Sequence, residues 1–194
     1  MRQAYADERY AKYCEGSVPR WEMDSLSFYY TGHELNAEAE AKYGIDNFFA
    51  MSEIPVIADV QTRRDRKTGV EIKWNRYALS RIAGTVLDKN TTRHTITLLT
   101  TNGVVTVKFY AGNFAHYNKQ ISSVNEDGEK TILEKSWFAR GNILLISGYR
   151  RGDTFVPKTY HDSIYQNSVC LIKKIHSSGV LEMQLKREEG NNDE

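Results

Sequence analysis

Several hallmarks of other protein classes are missing from this sequence of 194 residues. No run of apolar residues approaches the roughly 18 that a membrane-spanning helix needs. The opening stretch, MRQAYADERYAKYCEG, contains no apolar core of a signal peptide, so we expect a cytoplasmic protein. The sequence has 2 cysteines, Cys14 and Cys170, which lie far apart and which we expect to be reduced thiols rather than a disulfide.

Signs of catalysis are also scarce. There is no Gly-x-x-x-x-Gly-Lys phosphate-binding loop. Ser136 and Cys170 have no recognisable catalytic partner. No histidine is spaced with another His, Cys or carboxylate as a zinc site requires; the 5 histidines are His33, His94, His116, His161 and His176. We therefore expect no metal, no cofactor and no independent hydrolase activity.

What the sequence does contain is an uneven distribution of charge. Residues 1–50 carry 5 basic and 9 acidic residues, residues 51–176 carry 19 and 11, and residues 177–194 carry 2 and 5. A basic middle between acidic ends favours a polyanion, such as a nucleic acid, as the partner. The alternative is that the charges are placed without regard to any such partner.

The first 50 residues predict helices. Apolar spacing indicates one helix over residues 3–14 and another over 21–31, where Gly32 ends it. The segment NAEAEAKYG predicts a third helix, capped by Asn36 and ended by Gly44. A hairpin then follows, because VIADVQ and VEIKWNRYAL alternate with a period of two around the charged turn TRRDRKTG. The basic tip of this hairpin is interpreted as a solvated turn, with an extension of the basic, nucleic-acid-binding surface as the alternative.

Five strands and a helix follow in an informative order. RIAGTVLD, HTITLLT and VVTVKFY predict three strands, the second and third joined through Asn102-Gly103. A helix is expected over residues 112–121, and ILLISGYRRGD and TFVPKTY predict two more strands, before a final strand at SVCLIKKI. Three strands, a helix and two strands is the order of the five-stranded OB barrel. Gly84 lies where the first strand must bend to close such a barrel, although an ordinary bulge is the alternative.

The predicted fold is therefore mainly β with a helical N-terminal extension. We assign residues 1–50 to a helical segment, 51–80 to a β-hairpin connector and 81–176 to an OB-fold nucleic-acid-binding domain. Residues 177–194 are acidic and are expected to be a disordered tail.

The segment WEMDSLSFYYTGHELN resembles a known family. It is similar to the pattern E-x-x-x-L-x-x-Y-x-[ST]-G-H-x-[LI]-N of bacterial C-family replicative DNA polymerases, the α subunit of polymerase III. That family usually has proline after the histidine, whereas this chain has Glu34. The match to this pattern allows the spacing to differ by one residue. The residues that carry the resemblance are Glu22, Leu26, Tyr29, Thr31, Gly32, His33, Leu35 and Asn36.

The order of segments strengthens the resemblance, since an OB domain follows the Gly-His segment in that family. The resemblance implies a C-terminal piece of such a polymerase, or a split or phage-type relative of one. Polymerase chemistry in the family needs a carboxylate cluster for two Mg²⁺ ions, and no Asp-x-Asp occurs in this chain. The implied role is part of a DNA-directed DNA polymerase, with the catalytic core in the same or a separate chain.

Candidate nucleic-acid contacts come from the OB pattern. Single strands bind across the second and third strands and between two rim loops, where cations meet phosphates and flat side chains stack on bases. If Val107 and Phe109 fill the barrel, Lys108 and Tyr110 point outward. The candidates are Lys89 and Arg93 in the first rim loop, Lys108 and Tyr110 on the third strand, Tyr149, Arg150 and Arg151 in the last rim loop, and Lys158 in the segment after it.

Three functional hypotheses remain open at this stage. The favoured one is a module of a polymerase III α subunit that binds the single-stranded DNA template during replication. The second is a scaffold that docks against polymerase domains or other replisome proteins. The third is a free-standing OB-fold single-strand-binding protein.

Overall fold

The computed structural model describes residues 17–124, 130–159 and 167–187. Cys14 and the helix predicted over residues 3–14 lie outside these ranges. The helices are α1 (Val18–Leu26), α2 (Ala37–Tyr43) and α3 (Ala111–Asn118), with a 3-10 turn at Phe48–Ala50. The strands are β1 (Ile57–Arg64), β2 (Glu71–Tyr77), β3 (Ser80–Asn90), β4 (Thr95–Thr100), β5 (Gly103–Lys108), β6 (Ile121–Val124), β7 (Lys130–Glu134), β8 (Ile143–Arg151), β9 (Thr154–Pro157), β10 (Val169–Ile175) and β11 (Leu181–Gln184).

The chain divides into two compact units, residues 1–34 and residues 35–194. The sequence-based boundary at residue 50 differs from this division, because α2 belongs to the second unit. No helix within the described ranges is long and apolar enough to cross a membrane.

The first unit contains helix α1 and the turn that follows it. Ser17 caps the helix by accepting a hydrogen bond from the Arg20 amide, and the helix ends at Ser27, whose φ of 66° is left-handed. The sequence predicts helix as far as residue 31, and that end is wrong. Ser27 ends the helix because its own amide donates to the Met23 carbonyl in a left-handed cap.

Glu22 holds the turn that follows helix α1. Its carboxylate accepts hydrogen bonds from the amides of Tyr30 and Thr31, at 2.9 and 3.0 Å. The Thr31 amide, helped by that of Tyr30, lowers the pKa of Glu22. Gly32 follows with a φ of 124°, which favours glycine, and the rings of Tyr29 and His33 lie 4.7 Å apart. The Gly-His segment is thus a hydrogen-bonded turn.

The second unit contains the closed five-stranded barrel that the sequence predicts. Strand β3 pairs with β4 and β8, and β4 pairs with β5. The barrel closes through β9, which lies parallel to β5 and antiparallel to β8. Helix α3 lies between the third and fourth barrel strands in sequence, so this is the OB topology.

The barrel interior follows the two-residue alternation of its strands. Ile96 and Leu98 from β4 and Val105 and Val107 from β5 are all buried in one cluster. Helix α3 adds Phe114 to this cluster. The aromatic residues Trp137, Phe138 and Phe155 are also buried in this cluster, and Tyr117 is packed against it.

A second apolar cluster covers the outside of β3 and β8. It includes Ala83, Leu145, Ile172, Leu35 and Ala39, so helix α2 packs on this face of the sheet. Strand β8 is consequently buried on both faces along most of its length.

Helix α2 forms as predicted, with the side chain of Asn36 as cap and Gly44 at its end. The turn between β10 and β11 comes close to the start of this helix. A Cβ added at Gly179 would lie 2.7 Å from the Ala39 nitrogen.

The sequence analysis assigns no strand between α3 and β8. In the structure, residues 121–124 and 130–134 pair as the strands β6 and β7. Helix α3 accordingly ends at Asn118, and Ile121, which was predicted to be in the helix, lies in β6.

The C-terminal segment also departs from expectation. Residues 181–184 form β11 on the edge of the sheet, within the range expected to be a disordered tail. Arg187 is buried and pairs with Glu134 at 2.9 Å. It also donates to the carbonyl oxygens of His116, Tyr117 and Lys119, which end helix α3. Residues 188–194 lie outside the described ranges.

Gly84 permits a close approach of β3 to β4. A Cβ built at this position would lie 2.5 Å from the carbonyl oxygen of Leu99. The register shift in this strand pair falls between Val86 and Asp88, so Gly84 is not itself the bulge.

We expect Gly84→Val to lower the free energy of unfolding by about 2 kcal/mol or more, because strand β4 must move to admit the side chain. Thermal and urea denaturation measure this effect. Gly112→Ala is the matched control, since a Cβ there meets nothing within 4 Å. A Gly84→Val protein as stable as wild type would contradict the close approach.

We expect Arg187→Ala to destabilise the protein by about 3–5 kcal/mol, since it leaves the buried Glu134 carboxylate without its ionic partner. The exposed neighbour Lys186 provides the control, and Lys186→Ala should change stability by about 0.5 kcal/mol or less. Equal midpoints of urea denaturation for the two variants would exclude an anchoring role for Arg187.

Candidate nucleic-acid interface

Strand register brings three chain segments to one end of the barrel. Thr95 pairs with Lys108, and Thr106 pairs with Thr154. The Phe109 amide donates to the carbonyl of His94 at 2.9 Å, which fixes the turn after β3 beside the end of β5. The rim turn after β3, residues 108–110 and the rim turn after β8 therefore meet at this end.

The end of β5 has the alternation that the sequence predicts. Val107 and Phe109 are buried in the barrel, whereas Lys108 and Tyr110 face outward, and Tyr110 is 57% exposed. Lys108 is the single charged residue of β4 and β5, whose other outward side chains are threonine, leucine and valine. Any further cations that contact a phosphate backbone along this surface must therefore come from the rim turns.

A cleft of about 320 Å³ lies at this position. It brings together three of the predicted site residues, Lys108, Tyr110 and Arg151. Phe109, Thr154 and Val156 complete its lining. An exposed phenol ring beside two cations is the combination that can stack a base and contact a phosphate.

Arg151 is held in place by two aromatic rings. Its guanidinium lies 5.8 Å from the ring centre of Tyr77 and 5.6 Å from that of Tyr149. These cation–π contacts leave the residue exposed, so its donors remain accessible. Tyr77 is a contributor that the sequence analysis missed, because it lies at the end of β2 and only the fold brings it to this turn.

Arg150, the neighbour of Arg151, has a structural position instead. It donates to the carbonyls of Phe48 and Met51, at 3.3 and 2.9 Å, and lies over the Phe48 ring. It also pairs with Glu53 at 3.1 Å, and its side chain is 10% exposed. These contacts use the guanidinium donors of Arg150. The residue therefore holds the 3-10 turn in place and is not the exposed phosphate contact that the sequence predicts.

Two other candidates are buried. Tyr149 is covered, and its ring lies 4.6 Å from that of Tyr77. Lys158 is 2% exposed, so its side chain does not lie on the surface where a phosphate contact was expected. The burial of both side chains has the same cause. Near the point where the barrel closes, strands β8 and β9 are covered on both faces.

The first rim loop places its two candidates differently. Lys89 donates to the side-chain oxygen of Asn118 at 2.7 Å, which ties it to the end of helix α3. Arg93 is exposed in the turn, whose shape is set by the hydrogen bond from its amide to Asn90. Arg93 thus remains available at the same barrel end as Lys108.

Two titratable groups outside the cleft have shifted pKa values. Burial raises the pKa of the Cys170 thiol and, with the nearby charges of Lys119 and Arg187, lowers the pKa of His116. Across residues 17–124, 130–159 and 167–187, no group of three or more His, Cys, Asp and Glu side chains could hold a metal ion.

Fold and cleft together define an OB-barrel module with an aromatic and cationic cleft at one rim. This chain is similar to the protein named probable DNA polymerase YorL of Bacillus subtilis (strain 168) and to the DNA-directed DNA polymerase of Bacillus phage SPbeta. Each is 46% identical over 182 residues, which is 94% of this chain and 14% of the relative. The chain is thus a homologue of a segment of proteins named as DNA polymerases, and it spans 14% of their length. No family model and no solved structure matches it.

We expect Arg150→Ala to lower the free energy of unfolding by about 2 kcal/mol, because several backbone carbonyls and Glu53 lose a charged donor. Arg151→Ala is the matched control, since that exposed side chain loses only its cation–π contacts and should change stability by about 1 kcal/mol or less. Urea denaturation compares the two. Equal destabilisation, or none in either, would contradict the structural role of Arg150.

Proposed function

We propose that this chain is a single-stranded-DNA-binding module of a replicative DNA polymerase of the polymerase III α type. It holds template DNA near the polymerase core, in the cytoplasm, and supplies no catalytic residues itself. The observation that carries the proposal is the cleft that brings Lys108, Tyr110 and Arg151 together at the rim of an OB barrel. The similarity to a segment of DNA polymerases and the Gly-His turn support the same assignment.

Each residue has a separate part in this proposal. Tyr110 offers a ring face on which a base stacks, and such stacking is sequence-tolerant because every base has a π face. Arg151 and Lys108 contact phosphates on either side, and Arg93 extends the cationic track from the first rim loop. Threonine hydroxyls on the outer face of β4 and β5 can donate to sugar and phosphate oxygens.

We expect Arg151→Ala to weaken binding of labelled oligo-dT and to flatten the slope of log affinity against log salt by about 0.7, because one phosphate contact is lost. Tyr110→Ala should weaken binding by about 1–3 kcal/mol without changing that slope, since stacking releases no counterions. Fluorescence anisotropy at several salt concentrations separates the two effects.

Lys174→Ala serves as the control, because this exposed lysine lies on β10, which pairs with the start of β8, whereas the cleft strand β9 pairs with the end of β8. Its affinity and salt slope should equal those of wild type. If the Arg151→Ala protein had the wild-type salt slope, the cleft would not be part of the binding site. Failure of wild type to bind oligo-dT at low salt would favour a docking role for the module.

A further inference from the structure

The β1–β2 hairpin is a two-stranded ribbon with exposed side chains on both faces. Seven residue pairs join its strands, from Ile57–Tyr77 to Arg64–Glu71. Most of its side chains are exposed, including Trp74 at 41% and Ile72 at 50%. With a rise of roughly 3.3 Å per residue, strand β1 extends about 25 Å. A ribbon of this shape is narrow enough to enter the major groove of B-form DNA, which is about 12 Å wide.

The turn at the end of the ribbon is tightly built. The carboxylate of Asp65 accepts hydrogen bonds from the amides of Lys67 and Thr68, at 2.6 and 3.1 Å. Arg64 donates to the carbonyl of Gly69 at 3.0 Å, and Gly69 has a φ of 70°. The carboxylate of Asp65, the one acidic residue of the turn, thus accepts hydrogen bonds from backbone amides of the turn itself.

Three cationic side chains at this end of the ribbon are available to contact an external anion. Arg63, Arg66 and Lys67 are exposed, and within the described part of the chain none of them has an acidic partner. Arg63 is directly opposite Ile72 in the register, with Gln61 and Trp74 as the next pair on the same face. This face thus combines a guanidinium with apolar surface, as in proteins that contact both phosphates and the walls of a groove.

The base of the ribbon adjoins the cleft. Tyr77, the last residue of β2, packs on Tyr149 and lies under the guanidinium of Arg151, which also lines the cleft. The Ala78 amide donates to the carbonyl of Val56 at 2.8 Å and closes the ribbon at this end. A continuous surface therefore runs from the cleft through Arg151 and Tyr77 onto the ribbon.

From this continuity and the charge of the tip, we infer that the ribbon binds the backbone of double-stranded DNA. The occupant is the duplex part of a primer–template whose single-stranded part lies in the cleft. The placement of duplex beside single strand rests on the proposed function, whereas the contact of the ribbon with duplex DNA rests on its own cations and shape.

The test is a triple variant, Arg63→Ala/Arg66→Ala/Lys67→Ala, in the full chain. Anisotropy is measured with a blunt 20-base-pair duplex and with oligo-dT over a salt series. Each lost phosphate contact on B-form DNA reduces the salt slope by about 0.9, so we expect a reduction of about 2 to 3 on duplex. The affinity and slope for oligo-dT should stay at their wild-type values.

Two further variants control for charge and for structure. Lys173→Ala/Lys174→Ala/Lys186→Ala removes the same number of exposed cations outside the ribbon and should leave the duplex slope unchanged. Arg63→Lys/Arg66→Lys keeps the charge at the tip and should retain the wild-type duplex slope. A loss in the Lys variant as large as in the Ala variant would contradict a phosphate contact based on charge.

The outcomes separate this inference from the proposed function. Wild-type binding to oligo-dT with none to duplex would overturn the inference alone. Duplex binding that depends on the tip, without binding to oligo-dT, would support the ribbon contact and contradict the single-strand cleft. A duplex slope that is the same in the Ala variant and wild type would overturn the ribbon contact and leave its apolar face for a protein partner.

Discussion

The short strand β9 is the constraint on which the rest of the barrel depends. It pairs with β5 through two residue pairs, Thr106–Thr154 and Val107–Phe155, and with β8 through four. The approach to β8 is so close that a Cβ at Gly148 would lie 2.1 Å from the carbonyl oxygen of Val156. With β9 in place, Phe155 fills the interior, and the turn after β8 lies beside the end of β5. Without it, the cleft would lose Thr154 and Val156 from its lining, and Arg151 at the end of β8 would no longer be held beside β5.

Two arginines, the buried Arg187 and the partly buried Arg150, hold irregular segments onto this barrel by the same chemistry. Arg150 donates to carbonyls at the end of a 3-10 turn, and Arg187 donates to carbonyls at the end of α3. The Met51, His116 and Lys119 carbonyls lie at or just past the C-terminal ends of these segments, where no helical amide reaches them. The Phe48 and Tyr117 carbonyls also accept backbone amides, from Met51 and Trp137. The basic character of residues 51–176 therefore overstates the charge of the surface, because Arg150 and Lys158 are largely covered.

Local patterns in the sequence were sufficient for the barrel and for part of the cleft. Asn102-Gly103 marks the hairpin, and the alternation of Val107 and Phe109 with Lys108 and Tyr110 is a property of neighbouring residues, so periodicity can predict it. The position of Arg150 could not be predicted in this way, since its partners lie about a hundred residues earlier. Strand β11 was missed for a related reason, because its mixed, partly polar sequence is ordered by pairing with β10.

The neighbouring residues Arg150 and Arg151 have opposite positions because successive side chains of a strand point to opposite faces. Turns at the surface usually tolerate changes in length during evolution. Here a residue inserted or deleted between Gly148 and Arg150 would turn both arginines to the opposite face of β8, so that neither would keep its contacts. The segment is therefore constrained in length as well as in composition, although it lies at the rim of the molecule.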